Sequence, residues 1–98
     1  MTDSQKNSDN IIFIGGKPLM NYVTGVVMQF TTQQADEVKI SSRGKFISKA
    51  VDVAEVARKR FLKELNISIK EIKIDSQEFE KDDKKIHVST IDIILKKD

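Results

Sequence analysis

The amino-acid sequence predicts an α/β (α+β) fold. It is a two-layer sandwich, β-α-β-α-β-β in order, with two helices packed on one face of a mixed four-stranded sheet that ends in a long hairpin. Three observations predict it. Two stretches repeat apolar residues at helical spacing, each is entered directly from a short strand-like run, and the C-terminal third alternates apolar and polar residues on both sides of a charged turn. Ninety-eight residues, 39% of them hydrophobic, supply one modest core and not two. Residues 11–98 therefore read as one domain, and residues 1–10 as a flexible polar tail.

Ile11-Ile12-Phe13-Ile14, stopped by Gly15-Gly16, reads as a strand buried on both faces. A helix follows at once. Pro18 suits its first turn, where a missing N–H would be unpaired anyway, and Leu19, Tyr22, Val23, Val26, Val27 and Phe30 recur at helical spacing. The pattern breaks over residues 33–36. Val38 and Ile40 then alternate with Glu37, Lys39 and Ser41 as a second strand, and Ser42-Arg43-Gly44-Lys45 reads as the loop after it. Over residues 46–65, Ile47, Ala50, Val51, Ala54, Ala57, Phe61 and Leu65 mark one stripe of a second helix. Ile67, Ile69, Ile72 and Ile74, and then Ile86, Val88, Ile91, Ile93 and Leu95, form the hairpin across a turn at residues 80–85. The alternation slips after Ile69 and again after Val88. Either a bulge re-aims the side chains or both faces are covered, and a covered second face would mean a dimer. The first helix is long enough for a right-handed parallel crossover, while the full strand order stays open.

Net charge is only +2, so its distribution matters more than its total. Residues 1–10 carry −1, residues 11–60 carry +4 and residues 61–98 carry −1; the stretch from Arg43 to Arg60 holds six basic and two acidic residues. That concentration around one loop and one helix favours an anionic partner. No cysteine is present, which removes disulfides and thiolate metal sites and suits a reducing cytoplasm. The longest apolar run, Ile11 to Ile14, is far short of the roughly 20 residues of a membrane span, so no membrane association is expected.

Ile14-Gly15-Gly16-Lys17-Pro18 sets two glycines and a lysine between a strand and a helix N-terminus, where free N–H groups and the helix dipole favour anions. It lacks the second half of a Walker loop and is not a G-x-G-x-x-G fingerprint. Taken alone, it equally describes a tight turn beside a solvated lysine. Ser42-Arg43-Gly44-Lys45, with Lys49 one turn further on, lies at a second strand-to-helix junction, so two positive loops would share one end of the sheet. Their convergence raises the functional reading above the bland one. Residues 78–85 read either as an arm that reaches along a groove or as a solvated tip of mixed charge; the acids there weaken phosphate attraction and lack calcium-loop spacing. His87 is the only histidine and has no nucleophile motif to serve, so no catalytic residue, no cofactor and no metal site is expected, with carboxylate-bound magnesium left open.

These junctions sit inside longer runs. Ile14-Gly15-Gly16-Lys17-Pro18-Leu19-Met20-Asn21-Tyr22-Val23 is followed by Ser42-Arg43-Gly44-Lys45-Phe46-Ile47-Ser48-Lys49-Ala50-Val51-Asp52, by Val56-Ala57-Arg58-Lys59-Arg60-Phe61-Leu62 and by Val88-Ser89-Thr90-Ile91-Asp92-Ile93. Together they resemble the Alba family in order and spacing, from Asn10 almost to the end of the chain. The resemblance implies a dimeric archaeal chromatin protein that binds DNA and RNA with little sequence preference, on a fold similar to the C-terminal domain of a bacterial translation initiation factor. It implies nucleic-acid contacts from Lys17, Arg43, Lys45 and the turn lysines Lys81, Lys84 and Lys85. Gly15, Gly16 and Lys49 join this expected surface from the two junctions. Tyr22 joins it as a base- or sugar-facing neighbour, although a tyrosine in an apolar helical stripe also reads as core. Arg60 and Phe61, with Asn10 as a polar neighbour, match family positions through which dimers associate side by side. Family members commonly carry two adjacent lysines in the first loop, the first being an acetylation target; here Gly16 precedes Lys17, which leaves Lys17 as the modification candidate.

The expected function is that of a non-sequence-specific chromatin protein, cytoplasmic and chromosome-associated, which binds and compacts double-stranded DNA as a homodimer with possible higher-order assembly. The alternative is an RNA-binding or ribonucleoprotein component using the same surface. A third class, a protein-assembly adaptor, would use the Phe61 surface and the open sheet face. No enzymatic activity is expected.

Overall fold

The computed structural model describes residues 10–98; apart from Asn10, the expected polar tail lies outside the described residues. The chain forms β1 (Ile11–Phe13), α1 (Leu19–Thr31), β2 (Glu37–Arg43), α2 (Ile47–Val56), β3 (Ile67–Lys81) and β4 (Lys84–Lys97). Sheet order is β1-β2-β4-β3, with β1 parallel to β2 and β4 antiparallel to both of its neighbours. The two helices and the mixed four-stranded sheet are those the hydrophobic periods predict. No helix among the described residues is long and apolar enough to cross a membrane.

Val23, Val26 and Phe30 of α1 and Ala50, Val53 and Ala54 of α2 are buried against Val38 and Ile40 of β2 and Ile91, Ile93 and Leu95 of β4. Small residues on α2 let that helix lie close to the sheet. On α1, Gly25 does the same: a Cβ there would stand 3.4 Å from the Ile12 side chain. α1 ends where Gln34 turns left-handed (φ 55°) and the Ala35 N–H donates back to the Gln29 carbonyl at 2.9 Å.

β1 is not buried on both faces. It is an edge strand whose outer side has no second layer, and Phe13 is 72% exposed. Pro18 stands just before the helix, in extended conformation (ψ 149°), rather than within its first turn. β2 runs on through Ser42 and Arg43, which pair with Ile91 and Thr90, so the loop begins at Gly44, two residues later than expected.

The second helix does not continue regularly to residue 65. After Val56 the chain makes a π-type turn over Ala57–Phe61 and then a short 3-10 turn over Lys63–Leu65. A π turn adds a residue to the helical repeat, so the inward-facing position moves on by one. The helical stripe predicts burial of Phe61; instead Leu62 is buried at 2% and Phe61 is 52% exposed.

The two slips in the strand alternation have different origins. After Ile69 a β-bulge leaves Lys70 as the extra residue, so that Ile67, Ile69, Ile72 and Ile74 stand opposite Lys97, Leu95, Ile93 and Ile91 on the helix-facing side. The bulged Lys70 reaches across β4 to Glu37, with Nζ 2.7 Å from Oε2. That hydrogen bond, and then the charge of the carboxylate, hold the Lys70 pKa above its ordinary value of 10.5. After Val88 the pairing runs without a break, so Val88 and Ile86 face away from the side that Ile91 occupies. The slip marks the point where the hairpin leaves the body, because β2 makes its last pair at Arg43 and Thr90. Beyond it, β3 and β4 form a free two-stranded arm, closed by Asp82 and Asp83 with φ of 53° and 63° between the paired Lys81 and Lys84.

The π turn makes a direct prediction for unfolding by denaturant. Leu62→Ala should cost about 2–5 kcal/mol as a core truncation, while Phe61→Ala should stay within about 0.5 kcal/mol of the parent. Equal losses for the two variants would contradict the turn.

Candidate functional site

Parallel pairing of β1 with β2 brings both strand-to-helix junctions to the same end of the sheet. The first junction holds Gly15, Gly16 and Lys17, and the second holds Arg43, Gly44 and Lys45. Gly44 has a φ of +60° and leads through a 3-10 turn, Gly44–Phe46, into α2. Lys17, Arg43 and Lys45 are exposed, and none joins an ion pair among the described residues. Lys45 has its Nζ 5.4 Å from the centre of the Phe46 ring. The arm extends past the Arg43–Thr90 pair at this same end.

Tyr22 and Lys49 face inward to the first loop. The Tyr22 hydroxyl oxygen accepts the N–H groups of Gly15 and Lys17, both at 3.0 Å. Half-buried Lys49 donates from Nζ to the carbonyls of Gly15 at 2.9 Å and Lys17 at 2.8 Å. Its ammonium also lies 5.8 Å from the Tyr22 ring centre and 5.5 Å from that of Phe46. Sequence reasoning missed this arrangement. The loop and Lys49 are more than thirty residues apart, and no local pattern signals such a contact.

The two sides of the arm differ. Direct cross-strand partners share a face. Lys81 with Lys84, Phe79 with Ile86 and Gln77 with Val88 lie on one side; Glu80 with Lys85, Glu78 with His87 and Ser76 with Ser89 lie on the other. Lys85 thus shares the acidic side, apart from Lys81 and Lys84.

The basic stretch from Arg43 to Arg60 does not form one patch, because α2 carries its two ends to opposite ends of the sheet. Arg58 and Lys59 meet Glu55, with Arg58 Nε 2.7 Å and Lys59 Nζ 4.0 Å from its oxygens. Arg58 also donates to the Ile67 carbonyl at 3.4 Å, tying the π turn to the start of β3. Arg60 and Phe61 are exposed at this far end, where β1 also starts, and the Asn10 carbonyl there accepts the Lys39 N–H at 2.8 Å. On the outer side of the sheet, Ser41 donates to Asp92 at 2.6 Å.

The family model for Alba matches residues 10–76. The DNA/RNA-binding protein Alba of Methanococcus maripaludis is 49% identical over 88 residues, spanning 89% of this chain and 97% of that one. The chain belongs to the Alba family. Another relative, DNA/RNA-binding protein Alba 1 of Archaeoglobus fulgidus, is 47% identical over 90 residues, covering 92% of this chain and 98% of its own length. Among solved structures, Alba from Thermoplasma volcanium superposes with a TM-score of 0.81 at 44% identity, covering 90% of this chain and all of that one. The two-layer architecture is therefore that of an Alba fold.

The two loop glycines differ in what they require of the backbone. Gly44→Ala places a Cβ on a left-handed residue and should cost about 1–2 kcal/mol in thermal or denaturant unfolding. Gly16 has no positive φ, and a Cβ there meets nothing within 4 Å, so Gly16→Ala should stay within about 0.5 kcal/mol of the parent.

Proposed function

We propose that this member of the Alba family binds nucleic acid through its basic end without sequence preference, and holds and compacts double-stranded DNA as a homodimer. The observation that carries the reading is the convergence of Lys17, Arg43 and Lys45 at the end of the sheet from which the arm extends. Surface cations free of acidic partners attract phosphates and release their condensed counterions. The two helices reach this end only by their N-terminal turns, with their lengths laid against the sheet, so neither offers a reading head for a major groove. Contacts then fall on the backbone, which carries no sequence. The relatives named as DNA/RNA-binding proteins support the same ligand class. RNA would meet the same cations, and that alternative is separated only by direct comparison of ligands.

Dimerisation draws support from the inner side of β3. Ile72 and Ile74 are 54% and 79% exposed there, and Ile72 with Val51 and Ile69 edges a groove floored by Ile91, Ile93 and Ala54. An apolar strip on the working side of a sheet is unfavourable in water. A second copy would cover it and supply a second set of loops and arms, so that one dimer grips a duplex at two places. Arg60, Phe61 and Asn10 lie away from the basic end, where they are free to join neighbouring dimers on DNA. The protein is then chromosome-associated in the cytoplasm, and acetylation of Lys17 would weaken binding by removing a phosphate-facing charge.

Two measurements test the reading. Lys17→Ala should reduce the slope of log affinity against log salt on duplex DNA by about 0.9 per subunit, and Gly16→Lys should raise it by a comparable amount. Unchanged slopes in both variants would remove the first loop from the interface, and equal salt-sensitive binding to duplex RNA would shift the main ligand. In sedimentation the parent should run as a dimer at micromolar concentration and Ile72→Lys as a folded monomer. A monomeric parent would exclude the two-armed grip.

A further inference from the structure

We propose that Tyr22 and Lys49 are positioning residues that hold the first loop in its binding shape and themselves make no contact with phosphate. The inference rests on the proposed nucleic-acid reading and changes how two of its residues work.

Two side chains from two different helices take up both hydrogen-bonding groups of Gly15 and both of Lys17. The phenol oxygen on α1 receives the two N–H groups at 3.0 Å, and the ammonium on α2 donates to the two carbonyls at 2.9 and 2.8 Å. A loop with adjacent glycines is otherwise free to sample many backbone states. Cross-linked by four hydrogen bonds to both helices, it has one. The cost of ordering it is met when the chain folds, and binding is spared that cost.

The same contacts argue against direct roles. N–H groups directed to Tyr22 are not available to cradle an anion. Lys49 is half-buried, satisfied by two carbonyls and within 6 Å of two aromatic rings, so turning outward to a phosphate would forfeit all of these at once. The loop then presents one outward charge, the exposed side chain of Lys17.

The test uses Tyr22→Phe, which keeps the ring and removes the acceptor, and Lys49→Met, which keeps most of the stem and removes the donor. Lys17→Ala is the contact control. Each is measured for affinity to duplex DNA across a salt series and for amide hydrogen exchange at Gly15 and Lys17. Both clamp variants should bind about tenfold more weakly with the parent's salt slope, and both should exchange the Gly15 and Lys17 amides faster. A slope lowered by about 0.9 per subunit in Lys49→Met would make Lys49 a phosphate contact and overturn the proposal. Parental exchange at both amides in both variants would overturn it too. If Tyr22→Phe does not fold, Lys49→Met alone decides. If the parent binds neither DNA nor RNA, the functional reading fails, while amide exchange still reports whether the clamp exists.

Discussion

The parallel pairing of β1 with β2 is the constraint from which the rest of the architecture follows. Two parallel neighbours must end at the same edge, and a crossover helix must carry the chain back between them. Here that requirement places both strand-to-helix junctions side by side, so charges nearly thirty residues apart in sequence become one cluster. It also fixes the opposite end as the place where helices finish. α2 leaves the cluster and returns the chain to the start of β3, taking Arg58, Lys59 and Arg60 away from Lys17, Arg43 and Lys45. An antiparallel β1 would have separated the two loops and left only scattered cations.

Much of this is legible in the sequence, because it rests on periodicity. The element order, the convergence of the loops and the existence of a slip after Ile69 follow from where apolar residues recur, while the register shows that this slip is a bulge at Lys70. The slip after Val88 carries the same signature as the one after Ile69 but has another cause. There the strand passes from a sheet with a helix layer to an arm with water on both sides, and a pattern of apolar residues cannot distinguish a bulge from a change of surroundings. Phe61 and Leu62 show a second boundary. Both are apolar and adjacent, and only the widened turn decides which faces the core. Strand order and the grip of Tyr22 and Lys49 on the first loop are not legible at all, since they depend on contacts between residues far apart that no local pattern marks.

A net charge of +2 would suggest a weak preference for polyanions. Placement changes the reading. Acidic partners are assigned to the cations that serve the fold: Glu55 to Arg58 and Lys59, and Glu37 to the bulged Lys70. Exposed pairs of this kind add little stability, about 0–1 kcal/mol each, but they neutralise charge away from the two loops. Lys17, Arg43 and Lys45, brought to one end of the sheet by the two loops, have no ion pair among the described residues. A chain can therefore be nearly neutral overall and still present a basic face, because electrostatic attraction within a Debye length of about 8–10 Å is set by local charge and not by the total.

The arm departs from that arrangement, since four acids occupy residues 78–83. Its turn needs two residues with positive φ, and aspartate tolerates that region better than most side chains. Conformation alone would be met as well by asparagine or glycine, so the acids at Asp82 and Asp83 have a further consequence. Lys81 and Lys84 stand directly opposite each other, and like charges in that position destabilise a hairpin. The charges of Asp82 and Asp83, adjacent in sequence, would reduce that repulsion, as would a phosphate lying near the two lysines. Glu78 and Glu80 do not share that face. Together with His87 and Lys85 they occupy the other side of the ribbon, where a phosphate chain is repelled by the two carboxylates. The arm is thus sided: one surface combines two lysines with the apolar Phe79 and Ile86, and the other resists anions. Under the proposed nucleic-acid reading, an arm sided in this way would turn its Lys81 and Lys84 surface to a phosphate chain and its Glu78 and Glu80 surface away from it.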